Sequence, residues 1–366
     1  MQVAIVGLAR SGKTTVFNSL TRGAAETGGF GGLTVNTGVV KVPDERLTRL
    51  TSVFQPRREV PADVTYVDLP AQAITPEGAP HGDIPADQLA RLRNVDALVH
   101  VVRAFQDDTV PHPLLSIDAR RDLEQLELEL TLADLAVVEK RLDKLRTSGR
   151  HGTPAEREAN EREQAVLERI LPALTEGRPI RDLGLSSDEA LRIRGFRFLT
   201  EKPVLVLLNV GEADLVRKED LASALVASID HHMTSVVPLS ARIEMEIGQL
   251  EPDEAEAFRE DLGLEGSSLE RVVRASYALL GLISFFTVGP DETRAWTVTR
   301  GSTAVDAAGA IHSDLARGFI RAEVIGWQDL LELGSMAEAK RHGKVRSEGK
   351  TYAVQDGDVI EILFNV

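Results

Sequence analysis

Cysteine is absent from this 366-residue chain, which excludes disulfides, thiolate metal sites and cysteine nucleophiles. No apolar run approaches the roughly 20 residues of a membrane-spanning helix, so no membrane partner is expected. A strand pattern that starts at residue 2 leaves no space for a signal peptide, and the expected compartment is the cytoplasm. Positive charge is in deficit: 42 Lys and Arg stand against 57 Asp and Glu, a formal net charge of -15. Such a chain does not coat nucleic acid through bulk electrostatics, and no DNA partner is expected. The eight histidines are scattered apart from His231-His232, without the i, i+4 pairing of a helix-borne metal site. The length allows two or three domains, each with its own core.

Against these absences stands one dense motif. Gly7-Leu8-Ala9-Arg10-Ser11-Gly12-Lys13-Thr14 fits G-x-x-x-x-G-K-[ST], follows the apolar run Val3-Ala4-Ile5-Val6 and leads into a helical stretch from Thr15. This strand–loop–helix order separates a phosphate-binding loop from a chance match. Average residue usage alone produces the pattern in roughly one chain of this length in a hundred. The glycines let the backbone wrap phosphate oxygens and aim its N–H groups inward. Lys13 would reach the terminal phosphates, and the Thr14 hydroxyl would ligate Mg²⁺. The helix N-terminus adds its partial positive charge. Arg10, Ser11, Gly12, Lys13, Thr14 and Thr15 are the expected phosphate contacts, with Lys13 also catalytic. The chain reads as a nucleoside triphosphate binder.

Strands and helices alternate from residue 1 to about 110. Val64–Asp68 and Ala97–Val102 read as buried parallel strands, the second apolar but for His100. Pro203–Leu208 and Val236–Leu239 continue the series a hundred residues later, which suggests one α/β domain with an insertion. The gap is helical. Leu123, Leu126, Leu130, Ala133 and Val137 keep the spacing of a coiled-coil seam, and Val138, Leu142 and Leu145 continue it after a shift. Gly149 and Gly152 break the run before Val166, Leu167, Ile170, Leu171 and Leu174 resume it, the pattern of an antiparallel hairpin. From about residue 281, strand-like alternation with Gly and Asp turns fits a small α+β domain.

Further positions narrow the chemistry. Asp68 ends a strand, where a phosphate-loop protein keeps the acid that holds Mg²⁺ through water. Thr34 follows the Gly-rich segment from Gly28 to Gly32; its hydroxyl either completes the Mg²⁺ shell or belongs to an ordinary loop. Asn209-Val210-Gly211-Glu212 follows the third buried strand, where GTPases carry N-K-x-D to read guanine. Ser240-Ala241-Arg242 follows the fourth, where they carry S-A-K. Glu212 is one methylene longer than the guanine-reading Asp and displaces its carboxylate, so guanine recognition is compromised. Adenine's amine can be met by backbone carbonyls, with Asn209 and Val210 beside the ring.

At this point the chain resembles the YchF/Obg-like ATPase family, from end to end. The phosphate loop, the segment Thr37–Leu47, the Asn-x-x-Glu motif and an ordered C-terminal set carry the resemblance. That set comprises Arg271–Leu280, Phe285-Phe286-Thr287, Arg294–Val298, Gly318–Val324 and Val354–Asp358. The resemblance implies an α/β phosphate-loop G domain (1–111 and 199–280), an inserted helical coiled-coil domain (112–198) and a C-terminal α+β TGS domain (281–366). It also implies ATP in preference to GTP, weak hydrolysis, and a ribosomal (large-subunit) or other RNA-containing partner.

The chain departs from the family at several places, among them a first switch two residues shorter after Thr34 and a Gly-rich segment replaced by one bearing Pro76, Pro80 and Pro85. The family loop reads G-L-P-N-V-G-K-S, and here Ala9, Arg10 and Ser11 replace Pro, Asn and Val. Arg10 either lies by the phosphates as a fixed cation or points to solvent. The family's D-x-x-G becomes Asp68-Leu69-Pro70-Ala71, so the residue that normally gives its N–H to the γ-phosphate follows a proline and has less freedom to rotate. Gln72 stands where the family is apolar; it either orients the attacking water as a catalytic residue or faces solvent. A basic cluster, Lys340, Arg341, His342, Lys344, Arg346 and Lys350, is either a solvated loop or an RNA-docking spot. Two functions follow: a slow Mg²⁺-dependent NTPase, or a nucleotide-gated binding module with negligible turnover.

Overall fold

A computed structural model describes residues 1–23, 35–69, 84–148, 153–229 and 234–365. Its contacts divide the chain into two units, one of residues 1–38 and 65–272, the other of residues 39–64 and 273–366. Among the described residues there are twelve strands in two sheets of six. They are β1 (Gln2–Val6), β2 (Asn36–Lys41), β3 (Arg58–Val60), β4 (Asp63–Asp68), β5 (Ala97–Ala104) and β6 (Val204–Val210). The series continues with β7 (Thr234–Leu239), β8 (Leu282–Val288), β9 (Glu292–Thr299), β10 (Phe319–Gly326), β11 (Arg346–Glu348) and β12 (Asp358–Phe364).

The sheet of the first unit runs β2-β4-β1-β5-β6-β7. The pairs β1–β4, β1–β5, β5–β6 and β6–β7 are all parallel. β6 is buried along its whole length and β5 along all but its last residue. That is why their sequences read as continuous apolar runs: central parallel strands are covered on both faces. Helix Lys13–Thr21 follows β1, and its Val16, Phe17 and Leu20 are buried.

The insertion is a pair of helices, Ala119–Ser148 and Pro154–Thr175. The shift in its apolar spacing has a physical origin. Leu123, Leu126 and Leu130 belong to the core of the α/β sheet, with Leu98, Val206 and Leu208. Val138, Leu142 and Leu145 pack instead with Val166, Leu167, Ile170 and Leu174 of the second helix. One helix thus serves two cores, and the stripe rotates where the partner changes. Two polar anchors fix its base. The fully buried Asp134 accepts from Thr200 N–H and Oγ1 and pairs with Arg93 at 2.9 Å, and Arg181 pairs with Glu127 at 2.6 Å. The second helix starts at a capping box of Thr153 and Glu156, with Pro154 in its first turn.

The sheet of the second unit runs β11-β10-β12-β8-β9-β3. β8 and β9 form an antiparallel hairpin, β12 joins β8 in parallel, and β10 pairs β12 antiparallel. Helix Ala304–Ile311 buries Ala304, Ala307 and Ala308 against Ile283, Phe285, Val324 and Ile360. The expected division gave residues 39–64 to the G domain, whereas within that stretch helix Glu45–Phe54 and β3 make their contacts with C-terminal residues. β3 lies parallel to β9, Arg46 pairs with Asp356 at 3.0 Å, and helix Glu45–Phe54 buries Leu47 and Leu50. No helix among the described residues is long and apolar enough to cross a membrane.

Candidate functional site

The loop between β1 and the helix Lys13–Thr21 depends on two glycines. Gly7 has φ 143°, and a Cβ there would stand 2.4 Å from the Val101 carbonyl oxygen. Gly12 has φ 97° as the helix N-cap, and its Cβ would stand 2.3 Å from Nδ2 of Asn209. Any other residue at either place strains the backbone and displaces a neighbour. The loop's fixed shape leaves the first turn of the helix facing the space beside β4 and β5.

Lys13 is buried, and its ammonium donates to the carbonyls of Gly7 at 2.9 Å and Leu8 at 2.7 Å. Burial lowers its pKa to about 8, partly offset by the charge of Asp68. Thr14 Oγ1 donates to Asp68 Oδ2 at 3.1 Å, while Asp68 Oδ1 is buried without a protein partner. Burial raises the Asp68 carboxyl above the usual carboxylate range, against the pull of Thr14, Lys13 and Asn36. His100, paired with Val6 across the sheet, is buried with Nε2 unpartnered. Burial and the nearby Lys13 push its pKa down to about 3, so it is neutral and leaves Lys13 as the local cation. Its sequence signal is a polar residue inside the apolar run Ala97–Val102.

Asn209 is buried at the end of β6. Its Nδ2 donates to the Ser11 carbonyl at 2.9 Å, and its Oδ1 accepts from Ala241 N–H at 3.0 Å. The side chain expected beside the base ring thus binds the phosphate loop to the segment at Ser240. Val210 is also expected beside the ring, and its side chain is buried in the sheet core. Glu212 is exposed at the start of a short 3₁₀ turn, Glu212–Arg217. Ser240 is buried as the N-cap of helix Ala241–Ile247. Ser11 is buried with its hydroxyl unpartnered, and Thr15 is half-buried, its carbonyl accepting from Ser19 Oγ. Lys13, Thr14, Asp68, Asn209 and Ala241 therefore converge around one loop.

Of its two expected courses Arg10 takes the one toward solvent, since the residue is exposed. It has φ 63°, and its guanidinium donates to the Pro111 carbonyl at 2.9 Å. Beyond Pro111, His112 and Asp122 form a buried pair at 2.8 Å that sequence reading did not single out, because nothing local announces a contact ten residues away. Thr34, Ala71 and Gln72 lie outside the described residues. The basic cluster is not a bare positive patch. Lys340 pairs with Glu323, Arg341 with Glu338, Lys344 with Asp329, and Arg346 with Asp358 and Glu348.

Two family models match the chain. One, described as a 50S ribosome-binding GTPase, covers residues 2–140; the other, for the C-terminal part of YchF GTPases and described as a protein of unknown function (DUF933), covers residues 282–365. The ribosome-binding ATPase YchF of Bacillus subtilis is 40% identical over 372 residues, spanning all of both chains. Its counterpart from Haemophilus ducreyi is 41% identical over 99% of this chain and 98% of that protein. The solved YchF GTPase of Schizosaccharomyces pombe superposes with a TM-score of 0.85 at 31% identity, covering 99% of this chain and 97% of that one. At these identities over nearly the full length of the relatives, the chain belongs to the YchF family.

Proposed function

We propose that this chain is a slow Mg²⁺-dependent ATPase whose nucleotide cycle governs docking to the ribosome or another RNA-containing partner, in the cytoplasm. The observation that carries the reading is the Thr14–Asp68 pair beside Lys13, with one Asp68 oxygen unpartnered. Two hard oxygen donors on facing elements suit Mg²⁺, which keeps its waters and takes its remaining ligands from phosphates. Among the described residues there is no cluster of three acids or histidines to cage an ion, in keeping with a metal delivered with nucleotide. Thr14 and Asp68, joined by Thr34, would hold it; when bound it neutralises charge on the phosphate tail.

Lys13 would leave the Gly7 and Leu8 carbonyls for the phosphates and stabilise charge developing on the transferred group. Loop N–H groups would do the same without reorganisation. Asn209 keeps the loop in shape, and the altered Asn-x-x-Glu motif favours adenine. The functional division we propose remains a G domain (1–111 and 199–280), a coiled-coil insertion (112–198) and a TGS domain (281–366). Ala71 after Pro70 favours a second reading, in which ATP only gates docking. Phosphate release under multiple turnover, with and without ribosomes, tests the choice. A rate equal to buffer in both cases removes the enzyme reading; a measurable rate that falls about tenfold in Gln72→Leu, about 1.4 kcal/mol, supports it.

A further inference from the structure

The segment from Phe105 to Asp118, between β5 and the long helix Ala119–Ser148, is fastened at both ends. At its far end His112 Nε2 donates to Asp122 Oδ2 at 2.8 Å, and Leu114 N–H donates to His112 Nδ1 at 3.1 Å. Arg121 donates to Asp122 Oδ1 and to both oxygens of Ser116. Asp122 is 2% exposed, so this part of the segment is one body with the first turn of the helix. At its near end Arg103 donates to the Phe105 carbonyl at 3.1 Å, and Asp107 accepts from Thr109 N–H and, through its carbonyl, from Val110 N–H. Between the two ends, Arg10 reaches from the phosphate loop to the Pro111 carbonyl. Arg10 and Leu115 both carry left-handed backbone, φ 63° and 64°, and Leu115 is 94% exposed. Non-glycine residues persist in that region only where surroundings impose it.

Both cations of the phosphate loop rest on main-chain carbonyls, Lys13 on Gly7 and Leu8, Arg10 on Pro111. A guanidinium bonds an anionic phosphate more strongly than a neutral carbonyl and matches its geometry with two donors. We infer that Arg10 is a phosphate-responsive latch: it holds the segment before the helical hairpin in the empty protein and leaves Pro111 when a triphosphate enters the loop. The inference rests on the nucleotide-binding reading above. Its consequence is directional, because only the near half of the segment is freed while the Asp122 anchor holds the far half. The chain of contacts then links loop occupancy to the root of the hairpin.

Hydrogen exchange of the full chain, empty and saturated with Mg²⁺ and a non-hydrolysable ATP analogue, tests this. The amides of Thr109 and Val110 should exchange about fivefold faster on saturation, the loss of one hydrogen bond's worth of protection, while Leu114 is unchanged. Arg10→Ala, or Arg10→Met where the stem is needed for folding, should show the faster exchange already when empty and change less than about twofold on saturation. Protection in Lys13–Thr21 and β6 reports that each variant is folded. Unaltered or slower exchange of Thr109 and Val110 in the saturated wild type overturns the latch, as does a full wild-type response in either variant. Calorimetry on the same samples separates the two claims: no binding overturns both, whereas binding without the exchange change overturns the latch alone.

Discussion

The side-chain nitrogen of Asn209 donates to the main-chain carbonyl of Ser11 across 198 residues of sequence, at 2.9 Å, while the same side chain receives the N–H of Ala241. One buried amide therefore sets the distance between the phosphate loop and the segment that starts at Ser240. Asn209→Ala leaves both main-chain groups without that partner, at about 1–3 kcal/mol each. Asn209→Asp keeps the acceptor for Ala241, loses the donor to Ser11 and brings a negative charge behind the loop. Urea unfolding should rank wild type, Asp, then Ala in stability. ATP affinity should fall at least about tenfold, or about 1.4 kcal/mol, in the Asp variant. Equal stability of all three proteins would dispose of the clasp.

Lys13 is a desolvated charge with two carbonyl partners, so its value to the empty fold is small. Lys13→Ala should leave the thermal midpoint of the empty protein within a few degrees of wild type. ATP affinity should drop at least about 100-fold, or about 2.8 kcal/mol. Calorimetric titration of the folded variant decides the matter, and undiminished affinity would make the loop a structural turn.

Affinity should also depend on pH in one direction. Burial sets Lys13 near pH 8 in the empty protein, and phosphates favour its charged form and raise that value. Below about pH 8 the lysine is charged in both states and contributes no pH dependence. Above it, binding takes up a proton, and affinity falls by up to about tenfold per pH unit until the bound value is passed. His100, near pH 3, stays neutral through this window. Titrations at pH 7 and pH 9 in buffers of different ionisation enthalpy measure the uptake. Its absence at pH 9 would mean the empty-state lysine is already fully charged there.

Base preference can be tested without mutation. Because Glu212 stands exposed in place of the guanine-reading Asp, ATP should displace a fluorescent ATP analogue at lower concentration than GTP. A preference for GTP would refute the argument from the Asn209–Glu212 motif.

What was legible in the sequence is what is local. Gly7 and Gly12 announced a loop that only glycine can build, and the apolar runs of β5 and β6 announced buried parallel strands. The shift in the hairpin's apolar stripe was visible, but its cause was not, since a change of packing partner leaves only a change of phase. The clasp at Asn209 and the reach of Arg10 to Pro111 join residues about 200 and 100 apart, and no spacing encodes such meetings. β3 was illegible for a further reason: three residues, Arg58-Glu59-Val60, carry no periodicity, and their partner lies beyond residue 290.

Residues 39–64 carry a consequence for synthesis and ancestry. They are made early, yet Leu47, Leu50 and β3 find their partners in residues 273–366, roughly 200 residues later. At about 5–20 residues per second, that segment waits about 10–40 s with its apolar side chains uncovered. The same interleaving means that no single cut yields two whole pieces. A chain ending at 272 would keep helix Glu45–Phe54 and β3 stripped of their partners, and one beginning at 273 would lack an edge strand and a helix. The second unit could not have been joined to, or shed from, the phosphate-loop unit by one end-to-end fusion in its present form. Any lineage that dispenses with it must also rebuild the stretch between residues 38 and 65.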